Sequence, residues 1–333
     1  IETAESSSTR MRFVIVGAGA LGSIYAACLA RGGHEVSLIA RGERAAALAR
    51  HGIGIEGTDT FTARCEIVTQ PETLRQADVV IVAIKTYDTE QALATLRGLK
   101  VGTAFSVQNG VLKNKLLADV FGTQATLGAI SMVGGEVLPA EGDRPAAIRY
   151  SVPGPTIIGG LDGGDSTRAR DIMGTLVKSG LKAQVSNDIA SVEWSKFVGW
   201  SGLSSLAILT RLPTWRFLVD ADTALIAARV MRETAAVAMR HGVTLQDSGF
   251  SSKDFIGGTE ENAVRFIQAH GEKMKINSPT FRQSILQDAD RNRRLEVNET
   301  LKYALTLARE LGVAAPTLEY CCRILGVVSR AAG

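Results

Sequence analysis

Three features of the 333-residue chain predict an α/β protein, with a doubly wound parallel sheet in its first half and an all-α domain in its second. The first is a strand-length apolar run, Arg12-Phe13-Val14-Ile15-Val16, that breaks into Gly17-Ala18-Gly19-Ala20-Leu21-Gly22 and restarts as helix. The second is the alternation of Val- and Ile-rich runs with helical stretches as far as Val185. The third is helical periodicity almost without interruption from Asp188 onward, which places a domain boundary at 187/188.

The opening run reads as the first strand and phosphate-binding turn of an N-terminal Rossmann-type domain. Gly17 serves a tight turn, Gly19 lets backbone approach a pyrophosphate, and Gly22 lets the following helix pack close to the strand. Ala20 and Leu21 complete the turn and begin the helix, whose free N–H groups and positive dipole end would hold the pyrophosphate. That helix is expected from Ser23 to Arg31, closed by Gly32-Gly33.

His34 to Ala40 makes the second strand. Dinucleotide sites for NAD place Asp or Glu at its end to hold the ribose 2′-hydroxyl, whereas this strand runs out into Arg41-Gly42-Glu43-Arg44. The guanidinium of Arg41 forks a 2′-phosphate well, which favours NADPH as cofactor; Glu43, further round the turn, stays open as a ribose ligand. A helix from Arg44 to His51 and a glycine-spaced, hairpin-like segment through Val68 follow. Asp78 to Lys85 reads as a buried parallel strand with Lys85 at its carboxyl end, the end that faces ligand in an open α/β sheet. Lys85 is there a cofactor or substrate contact, or a rim charge. Thr103 to Val107 is the next strand, and Gln108-Asn109-Gly110 at its carboxyl end precedes a helix from Val111 to Val120.

From Thr126 to Gly160, short apolar segments punctuated by Gly and Pro are expected to extend the sheet, antiparallel in part. Ser166 to Ser179 is helical and Leu181 to Val185 a last strand. In the second half, helices are expected at Ile189 to Leu209, Ala221 to Arg240, Glu260 to Ala269, Thr280 onward and Leu318 to Arg330, with Ser278-Pro279 as a start signal.

Composition narrows the partners. A net charge of +3 without any long basic block indicates neither nucleic acid nor a membrane surface, so a small-molecule substrate is favoured. Cys28, Cys65, Cys321 and Cys322 make no CxxC pair and no metal spacing, and they suit reduced thiols in the cytoplasm. Residues 1–10 are polar and Ser-rich, a disordered or tag-like leader, and the fold is expected to start near Met11. The apolar helices Ala221 to Arg240 and Leu318 to Arg330 could supply a homodimer face.

With GAGALG at Gly17 to Gly22, Lys85 and Gln108-Asn109-Gly110 on strand ends, and Glu193-Trp194-Ser195-Lys196-Phe197 opening the helical half, the chain resembles the ketopantoate reductase (2-dehydropantoate 2-reductase) family. Ser284-Ile285-Leu286-Gln287-Asp288, Leu295-Glu296-Val297 and Arg309 to Pro316 extend the likeness over nearly the whole chain. The resemblance implies an NADPH-dependent reduction of a 2-oxo acid, as in pantothenate biosynthesis, at a cleft between a Rossmann domain and a helical domain. It implies Lys196 as the catalytic lysine, Asn109 touching nicotinamide and substrate, Gly110 beside the cofactor, Ser284 on the substrate carboxylate, and Glu296 on the substrate's other end.

The chemistry agrees, because hydride arriving at a carbonyl carbon leaves charge on oxygen that an ammonium can stabilise and then protonate. Taken alone, Lys196 and Glu296 would read as solvated helix charges. An unbroken helix would part Ser284 from Glu296 by ~18 Å at ~1.5 Å per residue, so a break is expected within Asp290 to Arg294.

Two departures bear on the substrate. Where the family carries asparagines four and eight residues after the lysine, this chain has Trp200 and Ser204 at the substrate-binding positions. An indole in place of an amide points to a larger or more apolar 2-oxo acid than ketopantoate. The reading from a different class is a non-catalytic NADP(H)-binding redox sensor of the same fold.

Overall fold

The computed structural model describes residues 10–140 and 147–332, so the greater part of the expected leader lies outside the described residues. The chain forms two compact units, one of residues up to Gln108 together with Lys113–Ile189, the other of Asn109–Leu112 together with the chain from Ala190.

The first unit opens with β1 (Arg12–Val16), α1 (Ala20–Arg31), β2 (Glu35–Ile39) and α2 (Gly42–His51). Three short strands follow, β3 (Ile53–Gly57), β4 (Phe61–Ala63) and β5 (Glu66–Val68), and then β6 (Gln76–Val82), α3 (Thr89–Ala94), β7 (Lys100–Ser106) and α4 (Lys113–Phe121). The long strands β8 (Leu127–Val137) and β9 (Ile148–Gly160), helix α5 (Thr167–Lys178) and strand β10 (Ala183–Val185) complete it.

Five parallel strands in the order β5-β2-β1-β6-β7 make the main sheet. Chain order reverses between β1 and β6, so the loops after these two strands lie at the place where open α/β sheets bind ligand. Asp78 joins the two strand starts, accepting from the Arg12 backbone N–H at 2.7 Å and from its guanidinium at 3.0 Å.

Residues 126–160 do not extend this sheet. β8 and β9 pair antiparallel with one another over most of their length, and β9 also pairs parallel with β3 and β10, which makes a second five-stranded sheet with β4. The long mutual register satisfies more backbone groups than the edge of β7 offers, and among the described residues only Ala104 and Thr126 bridge the two. Helix α1 packs with residues of both sheets, Phe13 and Ile15 on one side and Ala129, Tyr150 and Ile158 on the other. This explains a helix buried at every position from Gly22 to Leu29. The other face of the main sheet packs Val14, Val80 and Val82 on Leu93, Leu96 and Leu117.

The second unit is helical: α6 (Ile189–Thr210), α7 (Thr214–Val219), α8 (Ala221–Arg240), α9 (Lys253–Gly257), α10 (Glu260–Asn277), α11 (Ser284–Asp290), α12 (Leu301–Glu310) and α13 (Pro316–Ala331). α6 is apolar on nearly all sides and runs through the core, where Gly202 lies against Met231 of α8 and Ser201 Oγ meets Thr234 Oγ1 at 3.1 Å. Glu233 accepts from the backbone N–H groups of Thr317 and Leu318 at 3.1 and 2.7 Å, and so caps α13.

α10 runs eight residues beyond the expected Ala269, past Gly271, whose missing side chain admits Leu218 and Val219 of α7. Ser278-Pro279 ends this helix rather than starting the next: the Ser278 N–H donates to Met274 O at 2.8 Å, and α11 begins only at Ser284. No helix among the described residues is long and apolar enough to cross a membrane.

Candidate active site

In the first unit, Gly17 follows β1 at φ +110°, a conformation that L side chains rarely adopt, and its N–H donates to Ile39 O at 3.2 Å. A Cβ at Gly22 would collide with the Gly17 carbonyl, whereas one at Gly19 would meet no atom within 4 Å. The protein therefore gives no reason of its own for glycine at position 19, and an approaching phosphate supplies one. Ala20 and Leu21 open α1, whose first turn holds no acidic residue and no side-chain cap, which leaves its N–H groups to an anion. These observations fit a dinucleotide.

A cavity of about 220 Å³ lies beside this turn, lined by Gly17, Ala18, Ala40, Arg41, Arg44 and Asp88 among others. Arg41 is exposed two residues beyond the second strand, as the N-cap of α2, and Gly42 after it turns at φ +54°. Glu43 is exposed in the first turn of α2. The sequence pattern marks Arg44 only as the start of a helix. In the structure it is half-buried on the cavity, with its Nε 3.4 Å from Ala18 O. The opposition of a cation to the dipole in a helix's first turn was the available signal.

Lys85 stands three residues beyond the end of β6, at the head of a short 3₁₀ turn, rather than in the strand. Burial of the apolar run stops at Val82, where the chain leaves the sheet. Gln108 ties the strand ends together: its Nε2 donates to Ile84 O at 2.9 Å and to Thr89 Oγ1 at 2.7 Å, and its Oε1 accepts from Ser106 Oγ at 2.8 Å.

The next residue along the chain belongs to the second unit. Asn109 Oδ1 accepts from Lys196 Nζ at 3.4 Å, and Lys196 is half-buried on α6. Gly110, at φ +82°, lies so close to Thr300 that a Cβ would sit 2.9 Å from its Cγ2. Thr300 in turn donates from Oγ1 to the Glu296 carbonyl. Glu296 is buried, and its segment is anchored on α13 where the Leu295 N–H donates to Ser329 Oγ at 3.0 Å. Asn109, Lys196 and the turn from Glu296 to Thr300 are thus linked by contacts within one unit, although they lie far apart in sequence.

Ser284 is exposed as the first residue of α11. The expected break is present. α11 ends at Asp290, Asn292 adopts φ +51°, and the Arg293 N–H returns to Asp288 O at 2.9 Å. Trp200 lies in the core of the helical unit, 9% exposed and stacked on Phe197 with ring centroids 5.8 Å apart. Ser204 is fully enclosed and its Oγ has no hydrogen-bond partner, so it presents no surface to a ligand as the expected substrate contact would. One α-helical turn separates each of these residues from the last, and α6 is covered along that stretch. Among the described residues no group of acids, histidines and cysteines could hold a metal.

Comparison with known proteins identifies the family of the chain. The model for ketopantoate reductase PanE/ApbA matches residues 13–163, and that for its C-terminal part matches residues 188–329. A 2-dehydropantoate 2-reductase of Archaeoglobus fulgidus is 29% identical over 290 residues, which cover 86% of this chain and 87% of that protein. A ketopantoate reductase of the same family from Ralstonia eutropha superposes with a TM-score of 0.81 at 23% identity, covering 97% and 99% of the two chains. D-mandelate dehydrogenase, solved with NADH and anilino(oxo)acetate, shares the fold at a TM-score of 0.81 and 20% identity over 97% and 99%. The chain belongs to the ketopantoate reductase PanE/ApbA family, and is an oxidoreductase that uses a nicotinamide cofactor.

Proposed function

We propose that this oxidoreductase takes NADPH and reduces the carbonyl of a 2-oxo acid, with Lys196 as the general acid. The observation that carries the reading is the pair of Lys196 Nζ and Asn109 Oδ1 at 3.4 Å. An ammonium oriented by an amide oxygen keeps its charge and can donate to a substrate carbonyl oxygen, where negative charge develops. The nicotinamide, when bound, supplies the hydride. Lys196 holds the carbonyl oxygen, stabilises the charge on it and gives it a proton, so that the carbonyl becomes a secondary alcohol.

The glycine turn and the start of α1 hold the pyrophosphate, and Arg41 holds the 2′-phosphate; Lys85 and Gly110 flank the cofactor further along. Asn109 orients Lys196 and touches the substrate. Ser284 binds the substrate carboxylate and Glu296 its other end.

For the substrate, we propose a 2-oxo acid larger or more apolar than ketopantoate. The indole of Trp200 lies in the helical core, and the amides that the family pattern carries at positions 200 and 204 are missing here. A site that lacks hydroxyl-binding groups loses the strong discrimination they give. The reading as a binding-only sensor draws no support from membership of an oxidoreductase family.

The test follows NADPH oxidation at 340 nm against a panel of linear, branched and aryl 2-oxo acids, beside NADPH binding by fluorescence. Turnover of at least one bulky member is expected. Tight binding of NADPH with no oxidation by any member would refute the reading.

A further inference from the structure

We propose that Arg44 is a positioning residue of the cofactor site, bracing the glycine turn so that its backbone N–H faces the pyrophosphate. The proposal rests on the reading that a nicotinamide dinucleotide binds at this turn, and assigns a task to a side chain that the proposed reaction does not use.

Arg44 lies in the first turn of α2, where the partial positive charge of the helix end disfavours a cation. Its guanidinium is half-buried and loses hydration, which pushes its pKa below the ordinary value while leaving it charged. A residue placed against both local preferences points to a compensating interaction.

That interaction is with the turn. Arg44 Nε donates to the Ala18 carbonyl at 3.4 Å and its second nitrogen to Ser23 Oγ at 3.5 Å. Ser23 Oγ, fully buried, itself donates to the Ala18 carbonyl at 3.3 Å. One carbonyl, between Gly17 and Gly19, is thus held by two donors from two different helices. Because a trans peptide is planar, its C=O and the next N–H point in opposite directions. Fixing the Ala18 carbonyl toward Arg44 and Ser23 therefore fixes the Gly19 N–H toward the other side. There Gly19 is exposed and a Cβ would meet nothing within 4 Å. Glycine on the C-terminal side of this peptide lets it rotate with less penalty than a residue with a Cβ would, so without the brace the N–H would be poorly aimed.

This role makes a prediction that differs from that for Arg41. A brace on the pyrophosphate turn acts on every dinucleotide alike, because NADPH, NADH and ADP-ribose share the pyrophosphate and differ elsewhere. Dissociation constants for the three ligands are to be measured by fluorescence or calorimetry in the parent, Arg44→Met, Ser23→Ala and the double variant. Thermal unfolding and kcat at saturating NADPH accompany them.

Arg44→Met keeps the apolar stem and is expected to weaken all three ligands by the same factor, about tenfold, as the loss of one hydrogen bond from a charged donor implies. Its kcat and melting temperature should stay near those of the parent. Ser23→Ala should weaken all three by a smaller common factor. The double variant should lose less than the product of the two, because both donors serve the same carbonyl.

A loss confined to NADPH would overturn the proposal and make Arg44 a 2′-phosphate ligand. Unchanged affinities in Arg44→Met, or a fall in kcat with affinity intact, would overturn it equally. If Arg44→Met does not fold, Arg44→Lys, which keeps the charge and loses the fork, takes its place with the same common-factor expectation. A parent that binds none of the three ligands would instead refute the cofactor reading on which the proposal rests.

Discussion

Lys196 Nζ stands 3.4 Å from Asn109 Oδ1, joining a helix of the second unit to the loop that follows β7. The amide oxygen accepts only, so it orients the ammonium without taking its charge away. Lys196→Ala is expected to lower kcat by roughly 10² to 10⁴ while NADPH affinity stays near normal, the range for loss of a positioned general acid. Turnover within a few-fold of the parent would mean that another group delivers the proton.

Arg41 lies exposed two residues beyond β2, beside the glycine turn. Arg41→Ala should raise KM for NADPH far more than KM for NADH, by about 1.5–3 kcal/mol, the worth of one hydrogen bond to a charged partner. Equal effects on the two cofactors would remove Arg41 from the 2′-phosphate site.

Trp200 stacks on Phe197 in the core of the helical unit. The parent is expected to show a higher kcat/KM for an aryl 2-oxo acid than for ketopantoate, and Trp200→Asn to narrow the difference. Truncating a large core aromatic costs about 3–5 kcal/mol of stability, so Trp200→Phe serves as the better-folded comparison. A parental preference for ketopantoate, unmoved by either substitution, would refute the apolar-substrate reading.

His34 gives a pH dependence with a definite sign. It is buried, its ring lies edge-on to Phe13, and its Nδ1 accepts from the Met11 N–H at 3.3 Å, which requires the neutral imidazole. Burial lowers its pKa from the ordinary value of 6.5. The unfolded chain therefore binds a proton near pH 6.5 that the folded protein still refuses. Stability is fully present above that pH and declines as pH falls through the folded value. His270, lowered first by burial and then by Lys273, acts in the same direction. Urea midpoints at pH 7.5 and 5.5 should fall less for His34→Gln than for the parent, and an equal fall in both would refute the assignment.

On α13, Tyr320, Ile324 and Val327 are 70, 51 and 57% exposed and follow one another at spacings of four and three. Residues so spaced share one helix face. We propose that this face pairs with a second copy of the chain, as an apolar patch in water favours. Sedimentation should then show a dimer that Ile324→Glu dissociates; a parent that stays monomeric at high concentration would end the proposal.

Much of the architecture is legible in local sequence because local physics decides it. The apolar run before Gly17 makes β1, and Gly17 and Gly22 of the turn each answer a steric requirement. Ala221 to Arg240 is a helix with the expected bounds, begun by the side chain of Asp220 on the Thr223 N–H. The break after Asp290 follows from a chain that has no apolar residue to bury there. Lys196 and Asn109 stand out on a family pattern, and that pattern also shows what positions 200 and 204 lack.

Other features depend on partners that no short stretch names. Whether residues 126–160 join the main sheet or build another turns on how many backbone groups β8 and β9 can satisfy with each other and with β3. Ser278-Pro279 suits a helix start as well as a helix end, and the packing of Gly271 on α7 carries α10 far enough to make it an end. The directions of Trp200 and Ser204 follow from which side of α6 is covered, a property of the assembled helices. Arg44 reads as one more surface charge until the Ala18 carbonyl is brought to it across 26 residues of chain. The sequence by itself determines most of the helices and strands of the main sheet, the glycine turn and the chemical groups available, because these rest on spacing and side-chain type. Only the tertiary structure decides which groups meet, because hydrogen bonds and burial depend on distances between residues that the chain itself keeps far apart.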